Sequence, residues 1–71
     1  MVIKISARNR LAGTVTEINI GAVMAQITIN IGGGNTVTSA IFVDSAEDLD
    51  LKVGDKVSAV IKSTDVMIFR D

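Results

Sequence analysis

The chain contains no cysteine and no histidine, and its aromatic residues are two phenylalanines, with no tyrosine or tryptophan. Without Cys or His it has no thiol nucleophile, no imidazole base and none of the usual zinc ligands, and its redox compartment is unmarked. Because nucleic-acid bases stack on aromatic side chains, two phenylalanines offer little such surface. These absences argue against an enzyme, a zinc protein and a base-stacking module.

Strong net charge and long apolar runs are also missing. Seven Lys and Arg against eight Asp and Glu give a net charge of −1, so no overall field attracts nucleic acid or an anionic membrane. No apolar run approaches the roughly 20 residues that span a bilayer, and residues 1–5 are too short for the apolar region of a signal peptide. We expect a soluble, cytoplasmic protein.

Apolar residues, in contrast, are abundant. They make up 48% of the 71 residues, and the mean hydropathy is +0.46. A chain of this size hides only roughly 60% of its unfolded surface on folding, and it has no disulfide or metal to compensate. The excess of apolar material predicts association with further copies of the chain.

Alternating apolar and polar residues predict a β protein of one domain, residues 1–71. Glycines 32–34 with Asn35 predict a hairpin turn, and Gly13 inside a strand predicts a bend or bulge. The predicted strands cover residues 11–20, 23–31, 36–43, 56–62 and 66–69, with an extended segment at residues 2–5.

A short helix is predicted over residues 44–49. Asp44 with Glu47, or Ser45 with Asp48, has the spacing of an N-cap and an acid three positions later. Three strands, a small helix and two strands are the order of an OB-fold, a five-stranded Greek-key barrel. The expected fold class is therefore all-β and OB-like.

Two polar segments near the chain ends are the candidate binding residues, Ser6-Ala7-Arg8-Asn9 and Lys62-Ser63-Thr64. Hydroxyls, cationic side chains and backbone N–H groups at strand ends are the donors that a small tetrahedral oxyanion needs. Arg8, Arg10 and Lys62 supply local positive charge there. A third candidate is the start of the predicted helix near Ser45.

These segments occur in the same order as in the molybdate-binding Mop family, the molbindins. The chain resembles that family along essentially its whole length. Residues 6–13 match the opening of the family, Gly33-Gly34-Asn35 its central hairpin, Asp44-Ser45 the start of its helix, and residues 62–68 its closing segment. Four matches in sequence order make the resemblance specific.

The resemblance implies a single Mop, or TOBE-like, domain that is not an enzyme. Free-standing members form hexamers, trimers of dimers, which hold molybdate or tungstate between subunits for storage or homeostasis, with no organic cofactor. It also implies an oxyanion site and a second, more loosely indicated site near the threefold axis. The first site takes Ser6, Ala7, Arg8, Asn9, Lys62 and Ser63 from one subunit and Ser45 from its neighbour; the second takes Gly21, Ala22 and Val23.

Phe42 departs from the family pattern, because related domains often carry a hydroxyl residue there.

Three other functions are alternatives to oxyanion storage. The main rival is an OB-fold module for single-stranded nucleic acid, which the charge and the scarcity of aromatics disfavour. An enzyme would need Lys62 to activate Ser63, although neighbouring strand residues point to opposite faces. The chain also resembles the sensing module of larger molybdate transporters or regulators, but it lacks their other segments.

Overall fold

The computed structural model describes residues 5–70 as four antiparallel strands, one short α-helix and one 3₁₀ turn. The sheet has the strand order β3-β2-β1-β4, so β3 and β4 are its two edges. The elements are β1 (Asn9–Ile20), β2 (Met24–Gly32), β3 (Asn35–Phe42), α1 (Val43–Asp48), β4 (Lys56–Ile61) and the 3₁₀ turn Ser63–Asp65.

The long strand β1 joins the two halves of the sheet. Its first half pairs with β4, from Asn9 opposite Ile61 to Thr14 opposite Lys56, and its second half pairs with β2. Where the partner changes, Val15 bonds to the turn before β4: its N–H donates to the Asp55 carbonyl at 2.9 Å, and its carbonyl accepts from Gly54 N–H at 2.8 Å. The sheet therefore curls into a half-barrel, and the predicted OB-like fold class is confirmed.

A β-bulge interrupts the pairing of β1 with β2 between Val15 and Glu17, which leaves Thr16 as the extra residue. The sequence placed a bend or bulge at Gly13, three positions too early. Gly13 is needed for a different reason, because a Cβ there would lie 2.6 Å from the Asn30 carbonyl oxygen. This glycine permits the close approach of two strands.

The hairpin between β2 and β3 is confirmed. Gly32, Gly33 and Gly34 all have positive φ angles, between +63° and +92°, which L side chains rarely adopt. The Asn30 side-chain oxygen accepts a hydrogen bond from Gly32 N–H at 2.8 Å. Backbone freedom at the glycines and this bond fix the turn.

The predicted fifth strand does not form within the chain. Residues 66–69 follow the 3₁₀ turn without strand pairing, and Met67, Ile68 and Phe69 are 92%, 90% and 87% exposed. A strand needs a neighbouring backbone, and no described strand of the chain lies beside this segment. Of the predicted N-terminal extension, residues 2–4 lie outside the described residues, and Ile5 is not in a strand.

The helix α1 is confirmed, but its predicted caps are wrong. It begins at Val43, and Phe42 occupies the N-cap position without a side-chain hydrogen bond. Val43 N–H donates instead to the Val23 carbonyl at 2.8 Å, so a neighbouring turn satisfies the first donor of the helix. Asp44 stays in the first turn, where the dipole favours an acid.

The core is small for a chain with so many apolar residues. Among the described residues, six apolar side chains are buried: Val15, Ala25, Ile27, Ile29, Ala46 and Ala59. The accessible surface is 5885 Å², whereas a folded monomer of this mass exposes about 4,200 Å². Much apolar surface of the isolated chain is thus uncovered.

No helix within residues 5–70 has the length and hydropathy needed to cross a bilayer.

Candidate functional site

The two predicted polar segments leave the sheet side by side. Asn9, the first residue of β1, lies opposite Ile61, the last residue of β4. The Asn9 side-chain amide also donates to the Ile61 carbonyl at 3.3 Å. Because the strands are antiparallel, residues 6–8 enter this end of the sheet where residues 62–64 leave it. Segments more than fifty positions apart in sequence are therefore neighbours.

Hydrogen-bond donors at this end have few partners among the described residues. Among residues 5–70, the backbone N–H groups of residues 6–8 and 62–64 donate to no backbone carbonyl, and the hydroxyls of Ser6 and Ser63 make no hydrogen bond. Both serines, Arg8 and Lys62 are exposed. An open concavity of about 550 Å³ lies against residues 5–8 and Arg10. The described part of the chain therefore leaves these donors unused.

Positive charge at this end is not neutralised by the described part of the chain. The ion pair seen among residues 5–70 joins Lys52 to Asp50 at 3.4 Å. It lies in the turn before β4, away from this end of the sheet. Arg8, Arg10 and Lys62 form no ion pair with any residue from 5 to 70. Arg10 is not among the predicted site residues, although it is the second residue of β1 and lines the same concavity as Arg8.

Ser45 lies at the other end of the sheet. It is the third residue of α1, which follows the end of β3, and Phe42 there lies opposite Met24. A small cavity between α1 and the last residues of β1 includes Ala46, Ile18 and Ile20. Since β1 runs from Asn9 at one end to Ile20 at the other, one chain does not bring Ser45 to the polar segments.

The second-site candidates Gly21, Ala22 and Val23 form the exposed turn between β1 and β2, at the same end as Ser45. Two of their backbone groups are used: Gly21 N–H donates to the Met24 carbonyl at 2.8 Å, and the Val23 carbonyl accepts from Val43. Of the three N–H donors in this turn, the one at Gly21 is used within the described chain. It lies apart from the first site.

Phe42 forms part of an apolar surface beside this turn. Its side chain is 60% exposed, and those of Val23 and Met24 are 63% and 42% exposed. A free chain gains nothing from showing these groups to water, so the surface is suited to contact with another apolar surface. In its own chain, Phe42 is at the end remote from the polar segments.

Taken together, the fold and this end of the sheet define a small OB-like module with clustered hydrogen-bond donors and local positive charge. Residues 5–70 contain no group of three Asp or Glu that could hold a bare metal cation. The donor set is of the kind that binds an anion.

Comparison with known proteins agrees with this class. The TOBE domain model matches residues 5–68, and the chain belongs to the TOBE domain family, among its Mop members. Molybdenum-pterin-binding protein 3 of Clostridium pasteurianum is 55% identical over 64 residues, 90% of this chain and 94% of that protein.

Solved structures show the same relationship. A molybdate-binding protein from Sporomusa ovata has a TM-score of 0.90 at 46% identity, covering 96% of this chain and 100% of that one. The cytoplasmic molybdate-binding protein ModG, with molybdate bound, has a TM-score of 0.82 at 44% identity, covering 86% of this chain and 43% of ModG. The resemblance found in the sequence is confirmed.

Proposed function

We propose that this protein binds molybdate reversibly, in the cytoplasm, at sites between the subunits of a homo-oligomer, and so serves as a store for the oxyanion. The observation that carries the proposal is the convergence of two donor segments at one end of the sheet, together with three cations that form no ion pair within residues 5–70. Relatives and structural neighbours whose names state molybdenum or molybdate binding support the choice of oxyanion.

The first site uses donors of three kinds. Ser6 and Ser63 offer hydroxyls, residues 6–9 offer backbone N–H groups, and Lys62 offers charge. Arg8 acts mainly through its backbone N–H, with its side chain closing the pocket. A doubly charged oxyanion that loses water needs several such donors at once, because an unpaired charge is costly to bury. Ala7 and Asn9 contribute by holding the segment in place, Asn9 through its bond to Ile61.

A neighbouring copy completes the site with Ser45. Within one chain, α1 and the polar segments lie at opposite ends of β1, so Ser45 reaches a site only on another subunit. The large exposed apolar surface supports such assembly, and a hexamer built as a trimer of dimers is the form we propose. The Gly21–Ala22–Val23 turns then come together near the threefold axis as a second type of site.

Binding requires no bond making or breaking, and the donors include no general base, so the proposed function is not enzymatic. Tungstate has the same charge and tetrahedral form as molybdate, and we propose that it binds too. Sulfate shares the charge but is smaller, so the cavity between subunits must discriminate by size. The names of several relatives include a pterin, which makes a molybdenum-bound pterin the second candidate ligand.

Calorimetric titration of the assembled protein with molybdate, tungstate, sulfate and a pterin tests the proposal. We expect molybdate and tungstate to bind and sulfate to bind much more weakly. Hydrogen bonds to charged groups contribute about 1.5–3 kcal/mol, so Lys62→Met is expected to weaken molybdate binding by about ten- to a hundredfold. Lys52→Met is the matched control, since Lys52 is exposed and remote from the site.

The same titrations can overturn the proposal. Absence of molybdate binding by the assembled protein would do so, and so would equal weakening by the two lysine variants. Binding of the pterin but not of free molybdate would favour the second ligand. Native mass spectrometry of the same samples gives the number of subunits and of oxyanions per assembly.

A further inference from the structure

Arg10 is an exposed cation at the polar end of the sheet and has no assigned contact in the proposed site. It is the second residue of β1 and lies opposite Val60, one residue pair from the end where Asn9 faces Ile61. Within residues 5–70 its guanidinium makes no ion pair and no hydrogen bond. Because arginine stays protonated in proteins, the described chain leaves a full positive charge there.

Arg10 shares a concavity with residues of the proposed site. This concavity, of about 550 Å³, is lined by Arg10 together with Ser6 and Arg8. Residues 5–8 are not in a strand, whereas the backbone of Arg10 is held by the pairing of β1 with β4. Positions on strands are more precisely fixed than positions on loops. Of the two arginines in the concavity, Arg10 is therefore the one that the sheet holds in place.

Positive charge exceeds negative charge around this concavity. Arg8, Arg10 and Lys62 lie on the segments that meet at this end. The acid on the same segments is the exposed Asp65, in the 3₁₀ turn. The other described acids lie in the second half of β1, in α1 or in the turn before β4. A small dianion that approaches this end from water thus meets a locally positive surface, although the whole chain has a net charge of −1.

The concavity is larger than the ion that it is proposed to hold. A tetrahedral oxyanion has four oxygens, and four water-sized groups take up about 120 Å³. An oxyanion in contact with Ser6, Lys62 and nearby backbone N–H groups therefore leaves room for water along the rest of the wall. A charge acts across such water, because the Debye length is about 10 Å at 0.1 M ionic strength. Arg10 can attract the ion without touching it.

We propose that Arg10 is a further residue of the oxyanion site, which attracts the dianion through its charge across water and makes no direct contact with it. This role rests on the proposed function, since the site is the same one. Attraction of this kind depends on the charge of the ion and not on its size. Arg10 therefore raises the affinity for any small dianion, and the residues that contact the ion discriminate by size.

Calorimetric titration of the assembled protein with molybdate, in sodium chloride at about 0.1 M and about 1 M, tests this role. Arg10→Met removes the charge, and the affinity at the lower salt concentration should fall about two- to fivefold. At the higher concentration, where the Debye length is about 3 Å, the loss should be smaller than about 1.5-fold. Arg10→Lys keeps the charge without the planar fork of donors, so it should bind molybdate as the unsubstituted protein does.

Lys56→Met is the matched control, because it removes the same charge from the neighbouring strand. Lys56 is exposed in β4 and lies opposite Thr14, four residues along β1 from Arg10. At about 3.4 Å per residue this separation is about 14 Å, which exceeds the Debye length at 0.1 M. Lys56→Met should leave the affinity nearly unchanged. Native mass spectrometry of each variant shows whether the assembly keeps its size.

Three results would overturn the role of Arg10 while the unsubstituted protein still binds molybdate. The first is equal affinity of Arg10→Met and Lys56→Met at the lower salt concentration. The second is a loss that persists at 1 M salt and is not restored by Arg10→Lys, which would make Arg10 a direct ligand. The third is a smaller assembly in Arg10→Met alone, which would place Arg10 in a subunit contact. Absence of molybdate binding by the unsubstituted protein is a different outcome, because it refutes the proposed function and this role together.

Discussion

Replacing Gly13 with alanine adds one methyl group where β1 packs closely against β2. A Cβ built on Gly13 would lie 2.6 Å from the Asn30 carbonyl oxygen and 2.6 Å from Cγ2 of Ile29. Ordinary contacts of a Cβ are 3.4–4 Å long. The oxygen belongs to the backbone of β2, and Ile29 is only 5% exposed, so neither atom can move aside freely. Gly13→Ala must therefore separate β1 from β2.

The expected cost follows from two opposing terms. Overpacking of a tight site costs about 1–3 kcal/mol, and a clash with backbone belongs near the upper end of that range. Alanine also restricts the unfolded chain, which returns about 0.4–1 kcal/mol. The net loss should be about 2 kcal/mol. A domain of this size has a free energy of unfolding of roughly 4–10 kcal/mol, so the loss is a substantial fraction.

Urea denaturation followed by far-UV circular dichroism measures this loss, because the chain has no tryptophan to report by fluorescence. Protein concentration must be the same for each variant, since assembly adds to the apparent stability. Ala12→Ser, on the exposed neighbouring position, is the control and should change stability by less than about 0.5 kcal/mol. A Gly13→Ala loss no larger than that of the control would refute the reasoning.

Three further changes probe the core, the hairpin and the donor segments. Val15→Ala truncates the largest fully buried side chain, which is 1% exposed, and should lower the free energy of unfolding by about 2 kcal/mol in the same urea experiment. A loss below about 0.5 kcal/mol would mean that this site is not tightly packed. Gly34→Ala places a side chain at φ +78° and should cost about 1 kcal/mol although no atom is within 4 Å; no loss would show that the turn relaxes. Asn9→Ala removes the side-chain hydrogen bond to the Ile61 carbonyl and should weaken molybdate binding several-fold, as measured by calorimetry. An unchanged affinity would show that the two donor segments are held together without this bond.

The sequence predicted those elements whose signal is local. Alternation from Val23 to Ile31 predicted β2, and the three glycines predicted the hairpin, since period and backbone freedom are properties of neighbouring residues. The bulge at Thr16 was missed because its cause is distant: Val15 exchanges hydrogen bonds with the turn before β4, forty residues later. The helix cap was wrong for the same reason, as the Val23 carbonyl replaces a side-chain cap.

The residues of the candidate site also differ in whether local sequence could predict their positions. Lys62 and Ser63 could be grouped with residues 6–9 by their donor chemistry, but only the pairing of Asn9 with Ile61 shows that they are neighbours. Ser45 came into the prediction through the family resemblance, and nothing in its local sequence indicates which end of the sheet it occupies. Its position at the far end of β1 is a tertiary fact.

Residues 66–69 connect the fold to the proposed function. Their sequence has the composition of a buried strand, and the chain alone leaves them exposed. The prediction of a strand over residues 66–69 is wrong for the isolated chain, because strand pairing depends on a neighbouring backbone as well as on the sequence of the segment. Lys62 and Ser63 shortly precede this exposed segment, so an assembly that covers residues 66–69 would place two of the seven proposed site residues near a subunit boundary.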